Sequence, residues 1–158
     1  MQIKLIVILF LVLSCQLHDK VISKPVIKLE SHNCVLKTGW YLVEYSQKGC
    51  ERMMVDDTSA YYLRPDPLIT SANVTAVNDM KFMDETPGFL ISFDAAGTKQ
   101  WEKVTGNHVG DFFGFVLNDT LLVVGLNTAK ISTGKAFFPL ANRSKAEIQR
   151  IKNAILSK

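Results

Sequence analysis

The run DFFGFVL-ND-TLLVVGL, residues 111–126, constrains the fold more than any other part of this 158-residue chain. Two apolar, β-rich segments flank Asn118 and Asp119, residue types that tolerate the positive φ of a two-residue hairpin turn. A β-hairpin is therefore predicted. Both of its strands are apolar at nearly every position, so either both faces are covered by neighbouring elements or one edge waits for a partner strand. An exposed edge is a common way to hold extended peptide, by β-augmentation.

The rest of the chain supplies neighbours for this hairpin. TGWYLVEYS (38–46) and CERMMVDD (50–57) read as two arms of a second hairpin across the turn signal QKG, with Cys50 at the start of the second arm. AYYLRPDPLIT (60–70) gives a short strand stopped by Pro65 and Pro67, which cannot donate to a ladder. TSANVTAV (70–77) opens on capping-type residues and spaces Val74 and Val77 three apart, which fits a short helix or turn. GFLISFD (88–94) is a predicted strand. Asp94 is the expected N-cap of a helix that follows, with Trp101, Val104 and His108 on one stripe. In SKAEIQRIKNAIL (144–156), Ser144 and Glu147 have capping-box spacing, and Ile148, Ile151 and Ile155 share a face. Trp101 and this isoleucine stripe are expected core. The expected class is α+β, a mostly antiparallel sheet with two to three helices packed on one face. Strands and helices do not alternate as a doubly wound parallel fold requires.

The N-terminus fixes the expected location. Met-Gln-Ile-Lys is followed by LIVILFLVLS and then Cys15. One positive charge, a short apolar core and a small residue form a secretory signal, well below the roughly 20 apolar residues of a spanning helix. The four residues VLSC resemble the bacterial lipobox. That resemblance implies cleavage after Ser14 and acylation of Cys15; the alternative is an ordinary secretory signal that happens to end near a cysteine. Several acyl chains anchor stably where one binds only marginally. The implied organisation is a signal peptide over 1–14, a lipid-anchored tether over 15–33 and a domain over 34–158. It places the protein in a bacterial cell envelope, and Gln16 in place of a retaining aspartate favours the outer membrane.

Removing residues 1–14 takes Lys4 from the 18 basic side chains and leaves 17 against 15 acidic ones, a net charge of +2 with no block of one sign. Nucleic acid, which is bound through clustered Lys and Arg, is not an expected partner. With Cys15 acylated, Cys34 and Cys50 remain. In an oxidising compartment they are expected to pair, closing a loop of about 16 residues that stabilises by roughly 3 kcal/mol on the chain-entropy account; the alternative is two independent thiols.

Residues for catalysis do not assemble in the sequence. GxSxG and HExxH motifs are absent, His18 and His32 lie in the tether, and His108 stands alone in the domain, where a helix-end role is expected. Asp56-Asp57 and Asp84-Glu85 are adjacent in sequence, so their side chains diverge and read as turn charges. STGKAFF (132–138) lacks the glycine spacing of a phosphate-binding loop, and neither CxxC nor a Cys/His cluster offers a metal site. NVT, NDT and NRS match the N-glycosylation pattern, a coincidence in a bacterial lipoprotein. No enzyme, cofactor, metal or nucleotide is expected.

A family resemblance emerges from the order of elements. LIT and SANV, then SFD with Gly97 and Trp101, Val109-Gly110, the hairpin from Val116 to Val123, and Ile131 with Gly134 ahead of a closing helix resemble the head of the first periplasmic domain of SecD, a subunit of the bacterial protein-export machinery. The resemblance covers about 90 residues. It implies the α+β fold above and contact with unfolded or emerging polypeptide beyond the membrane. Two departures limit it. The Asp-Gly hairpin turn is Asn118-Asp119 here, and no stretch after residue 14 is long and apolar enough for the membrane helices that couple SecD to proton flow. The expected function is a non-catalytic envelope lipoprotein that binds polypeptide or an envelope protein, with a link to protein export implied by the resemblance, and the alternative is an accessory or inhibitor lipoprotein docking on one folded envelope enzyme or complex.

Overall fold

Asn118 and Asp119 take φ values of 48° and 66° and turn the chain between β7 (Phe112–Leu117) and β8 (Thr120–Leu126), as the sequence predicts. The computed structural model describes residues 34–55, 59–82 and 84–157. In chain order the remaining elements are β1 (Gly39–Glu44), β2 (Cys50–Met53), β3 (Ala60–Leu63), β4 (Ile69–Thr70), a 3-10 turn at Ser71–Asn73, β5 (Val74–Lys81), β6 (Pro87–Phe93), α1 (Ala95–Asn107), β9 (Lys135–Pro139) and α2 (Lys145–Leu156). All strand pairings between these elements are antiparallel. The class is α+β, but the strands form two sheets, one ordered β2-β3-β1-β7-β8 with β4 also on β1, the other β5-β6-β9.

Two local expectations are corrected. β1 and β2 do not pair with each other; β3 lies between them, opposing Val43 and Cys50 through Leu63. β2 buries only Cys50 and leaves Glu51 and Met53 exposed, which suits an edge, whereas β3 contributes the fully buried Leu63. Gly49 permits this order, because a Cβ there would collide with the Leu63 carbonyl. The helix or turn at 70–77 shrinks to the 3-10 turn, and β5 begins at Val74. Val74 and Val77 are both buried in spite of odd spacing because the ladder to β6 slips between Val74 and Ala76, a β-bulge that restores their common face.

The helices begin where the caps place them. Asp94 accepts from Gly97 N–H at 2.6 Å, and Ser144 and Glu147 form the reciprocal capping box. Both helices bury their stripes in the main core, Trp101 on α1 and Ile151 and Ile155 on α2, with Ile148 packed at its margin. Trp40 centres that core, its ring 5.4 Å from Phe93, 5.5 Å from Trp101 and 4.4 Å from Phe115. Strand alternation sends Tyr41 and Val43 to the opposite face of the sheet, into a second core with Leu36, Cys50, Leu63, Val116 and Leu121. The chain leaving β2 returns to β8 through a Met54↔Leu121 bridge, so the larger sheet curls over this second core.

Candidate functional site

β8 and β9 are the outer strands of their respective sheets, and an apolar cleft of about 300 Å³ opens between them. Trp40, Trp101, Phe113 and Phe115 floor it; Val123 to Leu126 form one wall, and Ile131, Phe137 and Pro139 complete the other. The floor residues are buried, but Leu126, 51% exposed at the end of β8 on the face it shares with Phe112, and Phe137, 56% exposed at the cleft rim, hold apolar surface in water. The alternation of β9 explains the second case: Phe138 turns into the core against Phe89 and Phe115, so Phe137 must face out.

The cleft is held by polar contacts behind it. Trp101 Nε1–H donates to the Lys135 carbonyl at 3.1 Å and ties α1 to β9. Thr105, fully buried, donates through Oγ1 to the Trp101 carbonyl at 2.7 Å and accepts from Ile131 N–H at 2.9 Å. Asn127 donates to the carbonyls of Thr105 and His108 at 2.7 and 2.8 Å, fixing the end of β8 to the end of α1. His108 lies 2.9 Å from Asp111 through Nδ1 and edge-on to Phe113, at the C-cap of α1. Gly125 leaves open space in the wall, since a Cβ there would meet nothing within 4 Å.

On the other side of β8 lies a second hollow, of about 390 Å³, lined by Val43, Tyr61, Phe112 and Val124 with the exposed Tyr45 at its lip. The free stretch of β8 thus separates two apolar concavities.

Cys34 and Cys50 have Cα atoms 5.7 Å apart and sulfurs in bonding contact, the geometry of a disulfide pair. Beside them, the Arg52 guanidinium reaches the Asp119 carboxylate and the Cys34 carbonyl, and its Nε donates to the Asp119 carbonyl at 3.0 Å. Leu36 N–H also donates to the Asp119 carboxylate, at 2.8 Å. Arg52 and this N–H hold the Asp119 carboxyl below its ordinary range, while burial pushes the Tyr41 hydroxyl up as it donates to the Lys37 carbonyl at 2.7 Å.

Asp84 and Glu85 sit in the β5–β6 turn, where Asp84 accepts from Thr86 N–H at 3.0 Å and Glu85 pairs with Lys81. Cys15, His18, His32 and the Asp56-Asp57 pair lie outside the described residues. Among the described residues, no group of three or more His, Cys, Asp or Glu side chains is placed to hold a metal, and no helix is long and apolar enough to cross a membrane. The sequence points to Trp101 as core, but not to its forming a cleft floor with Trp40 and Phe113, residues far apart in the chain. Of the rim, only Phe137 carries a local signal, in the Phe-Phe pair of β9.

No protein-family model and no curated protein matches this sequence. Solved structures do. One, of SecDF, a membrane component that enhances protein export, superposes with a TM-score of 0.61 at 18% identity over 76% of this chain and 62% of the other. Another, of SecDF in its super-membrane-facing form, gives a TM-score of 0.60 at 18% identity over 74% of this chain and 18% of the other. The chain therefore spans less than two thirds of the SecDF chains it matches. The fold of this domain is that of a SecDF-like periplasmic head.

Proposed function

We propose that this protein is a non-catalytic envelope domain that binds polypeptide in the cleft between β8 and β9, in the service of protein export. The observation that carries the reading is apolar surface kept in water, Phe137 at the rim of an aromatic floor and Leu126 on the adjoining strand, between two sheet edges with no further partner strand among the described residues. The likeness to SecDF, described as enhancing protein export, supports the same direction. In this reading residues 1–14 are the signal peptide, Cys15 carries the lipid anchor, residues 15–33 are the tether, residues 34–158 are the domain, and the Cys34–Cys50 disulfide staples it. The protein faces the periplasm or the surface from a bacterial outer membrane.

The test is cross-linking from a photoreactive residue placed at 128, an exposed position of the cleft lining, in the full-length protein, with identification of what is captured by mass spectrometry. Many unrelated envelope proteins in extended, newly exported form are expected, and the paired substitutions Leu126→Glu and Phe137→Glu should remove most of the capture without lowering Tm. A single folded partner captured independently of Leu126 and Phe137 would overturn the reading.

A further inference from the structure

We infer that the bound segment is taken up as an added strand on the edge of β8 at residues 123–126, which has no partner strand among the described residues, with its alternate side chains entering two different hollows. The inference rests on the polypeptide-binding reading above and sharpens it to a mode and a class of segment.

Backbone accounting selects the edge. Asn127 N–H donates to the Asp111 carbonyl at 2.9 Å, and bonded pairs recur at every second position of an antiparallel ladder, so Gly125 and Val123 bond inward to Phe113 and Phe115. The N–H and C=O of Val124 and Leu126 consequently point away from β7, along the open edge. Nearer the turn that edge is occupied, since Leu121 C=O accepts from Val55 N–H at 3.3 Å. β9 is the poorer partner: its outward positions are Lys135, Phe137 and Pro139, where the Lys135 carbonyl already accepts from Trp101 and Pro139 has no N–H. β8 is the strand that offers a run of backbone groups.

The two faces then dictate the segment. On the added strand, residues opposite Val123 and Gly125 stand over Phe113 and Phe115 in the cleft, and the bare Gly125 leaves room for a large side chain. Residues opposite Val124 and Leu126 stand on the other face, over Phe112 and Tyr61 in the second hollow. A strand apolar on one face fills only one hollow. The fitting partner is an extended, uncharged segment apolar on both faces, the kind that ends fully buried in a folded protein and is exposed only before folding. A helical segment, with its amides satisfied internally, leaves the β8 edge unused.

The experiment is fluorescence anisotropy of the full-length protein with a labelled decapeptide of alternating valine and phenylalanine flanked by lysines, alongside two versions N-methylated on one or the other set of alternate amides. One methylated set should weaken binding by about tenfold or more, the loss of hydrogen bonds to the edge, and the other set should bind nearly as well as the parent. In the protein, Val124→Pro removes an outward N–H that β7 does not use and should weaken binding about tenfold. The peptide series stands even where that variant folds poorly. Binding of the parent peptide with equal sensitivity to both methylated sets overturns strand addition and leaves the cleft reading intact. No binding of the parent peptide by the folded protein overturns both.

Discussion

Asp119 does three jobs from one turn position. Its backbone adopts the φ of 66° that closes the β7–β8 hairpin, its carboxylate accepts from Leu36 N–H, and the same carboxylate meets Arg52, which also reaches the Cys34 carbonyl. The start of the domain, β2 and the hairpin turn are thereby joined at one point. Asn at 119 keeps the turn geometry and an acceptor for Leu36 N–H but removes the charge that Arg52 compensates. Because the Asp119 side chain is 44% exposed, the ion pair is solvent-screened, and Asp119→Asn should destabilise at pH 7 by about 1 kcal/mol or less. The folded-state pKa is depressed, so this contribution is present above the unfolded carboxylate value near pH 4 and is lost as pH falls through the lower folded value. The stability difference between wild type and Asp119→Asn should therefore narrow on acidification, which denaturant titrations from pH 7 to pH 2 would measure. A difference that persists unchanged at pH 2 would place the effect in the turn rather than in the charge.

The elements that read directly from the sequence are those specified by neighbours in the chain. β7–β8 carries its turn residues and apolar arms side by side, and α2 carries its capping box and isoleucine stripe within 12 residues. β2 and β3 are different. Which of them lies beside β1 depends on whose side chain fills the second core, and Leu63 settles that question through contacts with Val43 and Cys50 that no local pattern encodes. The bulge in β5 hides in the same way, presenting Val74 and Val77 at helical spacing on a strand. The cleft is less legible still: Trp101 reads as core, Trp40 and Phe113 only as members of predicted strands, and only the meeting of two sheet edges makes them a floor. At this scale the proposed disulfide makes a prediction of its own. It fastens Cys34, ahead of β1, to the first residue of β2 across 16 positions, and replacing both cysteines by serine should cost about 3 kcal/mol in denaturant unfolding. Treatment of the wild type with a dithiol should bring it to the same midpoint as the double variant; a wild type indifferent to dithiol would show that the two thiols are not bonded.

Two cores on opposite faces of a shared sheet give the whole molecule an uneven stability. The main core gathers both helices, both sheets and the tryptophan cluster, whereas the second is covered by β2, β3 and the segment at Leu36. That cover is held to the sheet by two β1–β3 pairs, the Met54 bridge and the Arg52–Asp119 contact, and the proposed Cys34–Cys50 staple would tie its two parts to each other. Local opening follows the number of buried apolar contacts and long-range ties that must break together, so the cover is the part that opens before the protein unfolds. In native-state hydrogen exchange, amides of residues 50–53 and 60–63 should exchange faster than those of 89–93 and 101–105, and the dithiol should widen the gap by speeding only the first group. The cleft belongs to the slow part, floored by Trp40, Trp101, Phe113 and Phe115 from the main core. With the proposed binding floor on the rigid side, an added strand would dock without ordering its host, so the ordering cost would fall mainly on the guest segment. Uniform exchange across both cores would instead mean one cooperative unit, in which removing the staple weakens the cleft as much as the cover.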